Sequence, residues 1–235
     1  MRPLPSVIVI LVASAIASAI VAGCGPRDAP PAPPTPAFAP AVLGEKVFPV
    51  ERASVLDNSG RDEWQRPREV VAALEIEPGA HIADIGCGTG YFAVRFVRAT
   101  GPTGRVLAVD IQQGMLDAFE GRLAADDRKH VDLRLSQPDR PLEPTDAVDL
   151  AFCANTLHEV DDAAAFMQCI ADGLAPGGRL AILEWLPKKT PFGPPLEHRL
   201  APDRITQLAE AAGLRLDRDV DILKMQSFLI YRKPK

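Results

Sequence analysis

Hydrophobic and polar positions divide the chain into an apolar run near the N-terminus, a stretch dominated by proline, and a long region in which two patterns alternate. Short apolar runs in the long region predict buried strands, and apolar positions at helical spacing between them predict amphipathic helices. We expect strands near residues 81–84, 106–109, 131–135, 148–153, 180–185, 215–222 and 226–232. We expect helices from Pro67 onward and near residues 91–100, 115–123, 162–174 and 202–213.

Strict alternation of helices and strands predicts an α/β fold with right-handed crossovers. The strand near residues 148–153 is apolar on both faces, as central parallel strands are. The last two strands are close enough in sequence to pair as a hairpin. We therefore predict a seven-stranded, mostly parallel sheet with one antiparallel strand at the edge and helices on both faces.

The N-terminal apolar run has the features of an export signal. Arg2 gives it a positive start, and Val7 to Gly23 consists almost wholly of Val, Ile, Leu, Ala and Ser. It ends in small residues before Cys24, which resembles the lipobox of bacterial lipoproteins, although Val21 stands where Leu is usual. The resemblance implies a signal peptide at 1–23 and a lipid on Cys24. An uncleaved membrane anchor is the alternative.

Residues 24–45 contain proline at a density that blocks helix and sheet and favours extended polyproline II. Such a stretch acts as a semi-rigid linker, which suits a tether between a membrane and a folded domain. The expected location is the cell envelope, with the folded part lipid-anchored to a membrane and facing the periplasm or the exterior.

Charge and cysteine spacing exclude some classes of function. The net charge is −5 and the sequence has no long block of Lys and Arg, which argues against a nucleic-acid partner. The four cysteines include no C-x-x-C pair, so the sequence signals neither a metal site nor a disulfide framework. Cys87 and Cys153 each lie near the end of a predicted strand, and we favour two buried thiols over a disulfide.

A glycine-rich turn at residues 84–90 follows a predicted strand and precedes a predicted helix. Glycines there let the backbone approach a ligand closely, and the helix N-terminus favours an anionic group. Asp84 places a carboxylate beside the same cleft, where an ammonium group could pair with it. Asp110, at the end of the second strand, is positioned to bind both hydroxyls of an unphosphorylated ribose. Tyr91 stands where a dinucleotide fingerprint needs glycine, which disfavours a nicotinamide oxidoreductase.

The motifs D-I-G-C-G-T-G at 84–90, A-V-D-I at 108–111 and L-A-P-G-G-R-L at 174–180 resemble the ordered motif series of class I S-adenosylmethionine-dependent methyltransferases, a Rossmann-like family. The resemblance covers about residues 60–235. The segment R-D-E-W-Q-R-P at 61–67 is similar to the start of small-molecule methyltransferase domains. The resemblance implies an N-terminal lid or extension at 46–66 and a methyltransferase domain at 67–235.

The resemblance also implies a cofactor, S-adenosyl-L-methionine, and the residues that bind it. The glycines of the turn line its methionine part, Asp110 holds the ribose, Ile111 packs on the adenine, and Gln137 reaches the adenine edge, where an acid is more usual. The expected cofactor-binding set is Asp84, Gly86, Cys87, Gly88, Gly90, Asp110, Ile111, Gln137 and Asn155.

The loop after the fourth strand, residues 155–160, is expected beside the transferred methyl group. It lacks the N-P-P-Y pattern used on nucleobase and amide acceptors, so a small-molecule acceptor is favoured. His158 is the best candidate for a general base, and Glu159 could orient it. A structural histidine bonded to a nearby carbonyl is the alternative. Glu184 and His198 are secondary candidates.

Two readings of the function are carried forward. The first is an exported methyltransferase that acts on an unidentified small molecule. The second is a non-catalytic lipoprotein of methyltransferase fold that binds S-adenosylmethionine or is a relic. Cofactor supply outside the cytoplasm motivates the second, whereas the intact glycines and acids favour the first.

Overall fold

The computed structural model describes residues 47–57 and 60–235. The predicted signal peptide, the lipidation site Cys24 and the proline-rich linker lie outside the described residues. In the described part, no helix is long and apolar enough to cross a membrane.

Seven strands form one mixed sheet in the order β3-β2-β1-β4-β5-β7-β6. Strands β1 to β5 are parallel, and β7 runs antiparallel between β5 and the edge strand β6. The predicted fold class is therefore confirmed, with the antiparallel hairpin at one edge. The strands are β1 His81–Ile85, β2 Arg105–Asp110, β3 Val131–Leu135, β4 Val148–Ala154, β5 Leu174–Trp185, β6 Arg215–Asp219 and β7 Gln226–Arg232.

The described residues contain seven helices, and the sequence pattern predicts all of them except the first and the fifth. They are α1 Arg61–Gln65, α2 Pro67–Ala73, α3 Ala93–Thr100, α4 Gln113–Arg122, α5 Ala125–Arg128, α6 Ala163–Gly173 and α7 Pro202–Ala211, with 3-10 turns at Val50–Asp57, Leu157–Glu159 and Leu196–His198. Proline occupies the first turn of α2 and α7, where its missing N–H costs nothing. Asp162 caps α6 by accepting a hydrogen bond from the Ala165 N–H at 2.9 Å.

Two strand boundaries differ clearly from the prediction. β6 ends at Asp219 rather than near residue 222. β5 begins at Leu174 rather than near residue 180, because Leu174 already pairs with Val148. The register then shifts, so that Leu150 pairs with Arg179. The A-P-G-G segment between these pairs is thus a bulge within the strand rather than a turn before it.

Both faces of the sheet are covered, which makes the fold a three-layer structure. Helices α6 and α7 cover one face through Met167, Ile170 and Ile205. Helices α2, α3 and α4 cover the other through Val70, Phe96 and Phe119. The strand order reverses between β1 and β4, and in such sheets the crevice beyond the carboxyl ends at this point is the usual ligand site.

Candidate active site

A cavity of about 240 Å³ lies at the carboxyl ends of the central strands. Both candidate catalytic residues, His158 and Glu159, line it. Seven of the nine predicted cofactor residues do so as well: Gly86, Cys87, Gly88, Asp110, Ile111, Gln137 and Asn155. The fold therefore brings residues that are distant in sequence to one cavity.

The glycine-rich turn is shaped so that side chains are excluded from it. Gly86 has a φ of +68°, and a Cβ built on it would lie 2.2 Å from Oγ1 of Thr156. Gly88 has a φ of +53°, and its N–H donates a hydrogen bond of 2.9 Å to Oδ2 of Asp110. The backbone of the turn is thereby held against the end of β2, with its surface open to the cavity.

Gly90 does not line the cavity. Its φ is +78°, and a Cβ there would lie 2.0 Å from Cδ2 of Phe119 on α4. The absence of a side chain makes room for this ring, so the structure places Gly90 in the packing between the turn and α4.

Asp84 does not line the cavity either, but it lies immediately before the turn and is 3% exposed. Its Oδ2 is buried and has no hydrogen-bond partner among the residues the structure describes. Burial raises the pKa of Asp84 to about 7, although the positive charge of Arg61 opposes this. A buried carboxyl oxygen without a partner is uncommon and marks a place where a ligand can donate.

Asp110 ends β2 at the cavity wall. Its Oδ1 accepts a hydrogen bond of 2.9 Å from the N–H of Gln112, and its Oδ2 accepts the one from Gly88. Burial raises its pKa above the ordinary value, although these backbone donors oppose the shift. With the N–H of Ile111, three backbone donors face the carboxylate, which leaves one of its about four lone pairs for a ligand.

His158 lies in the 3-10 turn after β4 and is 9% exposed. Its Nδ1 lies 2.9 Å from Oε2 of Glu184, the fully buried carboxylate near the end of β5. Burial lowers the pKa of His158, but the carboxylates of Glu184 and Glu159 outweigh it, so the pKa lies above its ordinary value. Glu184 was only a secondary candidate from sequence.

Glu159 has a different environment. Its Oε1 is 3.9 Å from Nε2 of His158 and accepts a hydrogen bond of 3.2 Å from the N–H of Phe48. Burial raises the pKa of Glu159 to about 7. The hydrogen bond that orients the ring of His158 is therefore the one to Glu184. Glu159 instead accepts a hydrogen bond from the N-terminal segment.

Residues 47–57, which we call the cover segment, lie over one side of the cavity. Phe48 and Leu56 line it, and Leu56 approaches Gly88 so closely that a Cβ there would lie 3.2 Å from its Cδ1. Asp57 fixes the end of the segment through Thr89 Oγ1 at 2.9 Å and Arg122 at 2.5 Å. These contacts place the cover segment against both the turn and α4.

A buried hydrogen-bond chain links α1 to the loop after β4. Arg61 Nε donates to Gln65 Oε1 at 2.6 Å, and Gln65 Nε2 donates to Gln226 Oε1 at 3.1 Å. Gln226 Nε2 in turn donates to Oδ1 of Asn155. Sequence reasoning missed Gln65 and Gln226. The i, i+4 spacing of Arg61 and Gln65 could have indicated the first pair, whereas nothing local indicates Gln226.

Comparison with known proteins agrees with this geometry. The model of a protein family described as a methyltransferase domain matches residues 83–180 of this chain. A ubiquinone/menaquinone biosynthesis C-methyltransferase UbiE of Burkholderia vietnamiensis is 31% identical over 167 residues, covering 66% of this chain and 68% of that protein. A demethylmenaquinone methyltransferase of Symbiobacterium thermophilum is 33% identical over 132 residues, which is 52% of this chain and about half, 49%, of that protein.

The chain belongs to the S-adenosylmethionine-dependent methyltransferases. A solved S-adenosylmethionine-dependent methyltransferase from Aquifex aeolicus has a TM-score of 0.74 and 26% identity, with 79% of this chain and 99% of that chain covered. The [4+2]-cyclase SpnF, with a TM-score of 0.61 and 20% identity, shares the fold. The same fold is therefore also found in an enzyme named for another reaction.

Aromatic rings lie beside the methyltransferase site. Trp64 of α1, Trp185 at the end of β5 and Phe192 of the following loop contact one another with centroid distances of 5.2, 5.3 and 5.7 Å. Trp185 also lines the cavity, as does His198 of the same loop. Trp185 is thus the member of this cluster that faces the cavity, and Trp64 and Phe192 pack against it.

The cysteines of the described region, Cys87, Cys153 and Cys169, are free thiols. Burial raises the pKa of Cys87 and Cys153 well above the ordinary value, so both are inert neutral thiols at physiological pH. The described residues contain no cluster of three or more His, Cys, Asp or Glu side chains that could hold a metal ion.

Proposed function

We propose that this protein transfers a methyl group from S-adenosylmethionine to a small aromatic acceptor. The observation that carries the proposal is the convergence, on one cavity, of a side-chain-free glycine turn, an acid at the end of β2, and a histidine paired with a buried carboxylate. An abandoned site has no need to keep all three.

The residues present fit the cofactor. Gly86 and Gly88 line the cavity with backbone alone, since a Cβ on either would meet Thr156 or Leu56. Asp110 lines the cavity and keeps a lone pair for a ribose hydroxyl, and Asp84, buried just before the turn, keeps an oxygen without a described partner for an ammonium group. Arg61, which is buried and lines the cavity, supplies a positive charge for a carboxylate. Ile111 and Gln137 would flank the adenine.

When bound, the cofactor supplies an electrophilic methyl group on a positively charged sulfur that leaves as a neutral thioether. The chain must then orient the acceptor, exclude water and manage one proton. The cover segment and Trp185 line the cavity and limit the access of water. His158 can accept a proton inside the cavity through Nε2, because its Nδ1 lies against Glu184.

An aromatic hydroxylated ring is the acceptor class best supported. The named relatives are a demethylmenaquinone methyltransferase and a ubiquinone/menaquinone biosynthesis C-methyltransferase, and the ring of Trp185 at the cavity suits stacking on a planar acceptor. We also propose that the protein is a lipoprotein tethered through Cys24 in the cell envelope. The apolar run that ends before Cys24 supports this location.

The first experiment is calorimetric titration of S-adenosylmethionine and S-adenosylhomocysteine into the full-length protein. We expect micromolar binding, which Gly88→Arg abolishes because the new side chain fills the turn. Gly121→Arg is the matched control, since a Cβ at Gly121 meets nothing within 4 Å. A well-folded wild-type protein that binds neither compound would overturn the proposal and leave a relic fold.

The second experiment tests turnover with a labelled methyl group and 1,4-naphthohydroquinone as the probe acceptor. Label in the ring compound, lost in His158→Asn but retained in Gly121→Arg, supports an aromatic acceptor. Cofactor binding without label in this probe would contradict that acceptor class.

A further inference from the structure

Glu184, a secondary candidate from the sequence, is a buried carboxylate near the end of β5. Its side chain is fully buried, and its two oxygens have three neighbouring donors: Nδ1 of His158 at 2.9 Å, the N–H of His158 at 3.3 Å and the N–H of Trp185 at 3.3 Å. A carboxylate is costly to bury unless such partners compensate for the lost water. Two of the three partners belong to His158, so the carboxylate is aimed at that residue.

The contact to Nδ1 fixes which ring nitrogen of His158 faces the cavity. In the neutral ring, a proton on Nδ1 can be donated to the Glu184 carboxylate, and the lone pair is then on Nε2. No described residue makes a hydrogen bond to Nε2. The nearest carboxylate oxygen, Oε1 of Glu159, is 3.9 Å away. Nε2 is therefore left as an acceptor at the cavity wall.

Resting on the proposed function, we propose that Glu184 is the positioning residue that holds His158 as its Nδ1–H tautomer, so that Nε2 receives the proton of the acceptor's hydroxyl. The O–H bond breaks, its electron pair stays on the acceptor oxygen, and the proton forms the second N–H bond of an imidazolium. Glu184 is the counter-ion of that imidazolium. The residue does not touch the acceptor.

Other charged groups near the ring do not provide the same arrangement. Glu159 lies on the same turn, but its Oε1 accepts a hydrogen bond from the N–H of Phe48. Glu159 therefore does not orient the ring through Nδ1. Arg199, from the loop after β5, opposes protonation of His158 but binds mainly backbone carbonyls of its own loop. Glu184 alone among these groups combines full burial with a direct hydrogen bond to the ring.

The test is ¹⁵N NMR of the histidine imidazoles in the full-length protein, with His158→Asn used to assign the signals of His158. The wild-type ring, when neutral, should be the Nδ1–H tautomer. Glu184→Gln should turn the neutral ring into a mixture of tautomers and lower the pKa of His158 by about one unit or more, because the counter-ion is lost. Glu184→Asp, which keeps the charge, should restore most of the pKa.

The matched control is Glu159→Gln, which removes a nearby charge without touching Nδ1 and should leave the tautomer unchanged. A neutral wild-type ring protonated on Nε2, or an unaltered pKa in Glu184→Gln, would overturn the proposal. Cofactor titration of each variant keeps the two proposals distinct. A wild-type protein that does not bind the cofactor would contradict the proposed methyltransferase function. The NMR experiment measures the tautomer of His158 without any need for bound cofactor.

Discussion

Asp84 is a carboxylic acid enclosed by protein, and its protonation should appear in the stability of the fold. Burial raises its pKa from 3.8 to about 7, so between these values the folded state holds a proton that the unfolded state has released. The free energy of unfolding contributed by Asp84 therefore falls as pH rises through this window. Asp84→Asn removes the titration. The free energy of unfolding of Asp84→Asn, minus that of the wild type, should therefore increase by up to about 4 kcal/mol from pH 4 to pH 8.

Urea unfolding at pH 4, 6 and 8 measures this difference, in the absence of cofactor. Asp126→Asn is the control, because this substitution removes the same charge from a side chain that is 99% exposed. A difference between Asp84→Asn and wild type that is constant over this range would show that Asp84 is ionised throughout.

Asp110 tests the ribose contact. We expect Asp110→Asn to weaken binding of S-adenosylmethionine by about 5- to 15-fold, because a charge-assisted hydrogen bond of roughly 1.5–3 kcal/mol becomes a neutral one of about 0.5–1.5 kcal/mol. Calorimetry provides the measurement, and Asp126→Asn is again the control. Equal affinity for the two variants would mean that the carboxylate serves only the N–H groups of Gly88 and Gln112.

Single residues were predictable where the chemistry is local. The turn glycines and His158 follow a strand end and Asp110 is the last residue of a strand, and the hydrophobic pattern locates these ends. Their partners were not predictable in the same way. Glu184 lies 26 residues from His158, and Gln226 lies 71 residues from Asn155, so only the sheet order brings each pair together.

Packing of the glycine turn against α4 leads to a prediction at the level of elements. Gly90→Ala should lower the free energy of unfolding by roughly 2–5 kcal/mol, from a left-handed alanine plus overpacking against Phe119. Gly121→Ala, on α4 itself, should raise it by about 0.5–1 kcal/mol, because the site is open and helical. Urea unfolding of both variants checks the pair. A Gly90→Ala protein as stable as wild type would show that α4 can move away.

The cover segment is fixed at its end by Asp57, and hydrogen exchange can measure how firmly. Asp57→Asn loses the ion pair with Arg122, worth about 0.5–1 kcal/mol at a partly exposed site, so amides in 47–57 should exchange roughly 2- to 5-fold faster. Glu51→Gln is the control in the same segment, where the residue is exposed. Added S-adenosylmethionine should slow exchange of this segment in the wild type. Exchange rates in this segment that do not change on addition of cofactor would show that the segment does not take part in the cofactor site.

Element boundaries show what periodicity can and cannot locate. Helix α7 begins at the predicted Pro202, because proline sets the backbone of a first turn. Helix α3 begins at Ala93, two residues later than the predicted Tyr91, since the turn extends through the aromatic pair. The early start of β5 at Leu174 depends on pairing with Val148, which no pattern within the A-P-G-G segment reveals.

For the whole molecule, alternation predicted the sheet, and the sheet order explains the site. Reversal of the strand order between β1 and β4 opens the crevice, and the turn, Asp110 and His158 occupy the carboxyl ends around it. The domain limits at 46–66 and 67–235 remain predictions. The contacts of residues 47–57 with Gly88 and Glu159 are consistent with a lid there.

Attachment to the cell envelope is a property of the whole chain and rests on Cys24. If the lipobox is used, the wild-type protein should lack residues 1–23, carry a lipid on Cys24 and sediment with membranes. Cys24→Ser should abolish the lipid and leave a longer precursor. Cys169→Ser, which replaces a thiol of the folded domain, should change neither property.

Mass spectrometry of the N-terminal peptide and membrane fractionation measure both properties. A Cys24→Ser protein that has wild-type mass apart from the substitution and stays in the membrane would instead establish an uncleaved anchor. In both cases a cofactor made in the cytosol must reach a site outside it, and binding in isolated envelopes would measure whether it does.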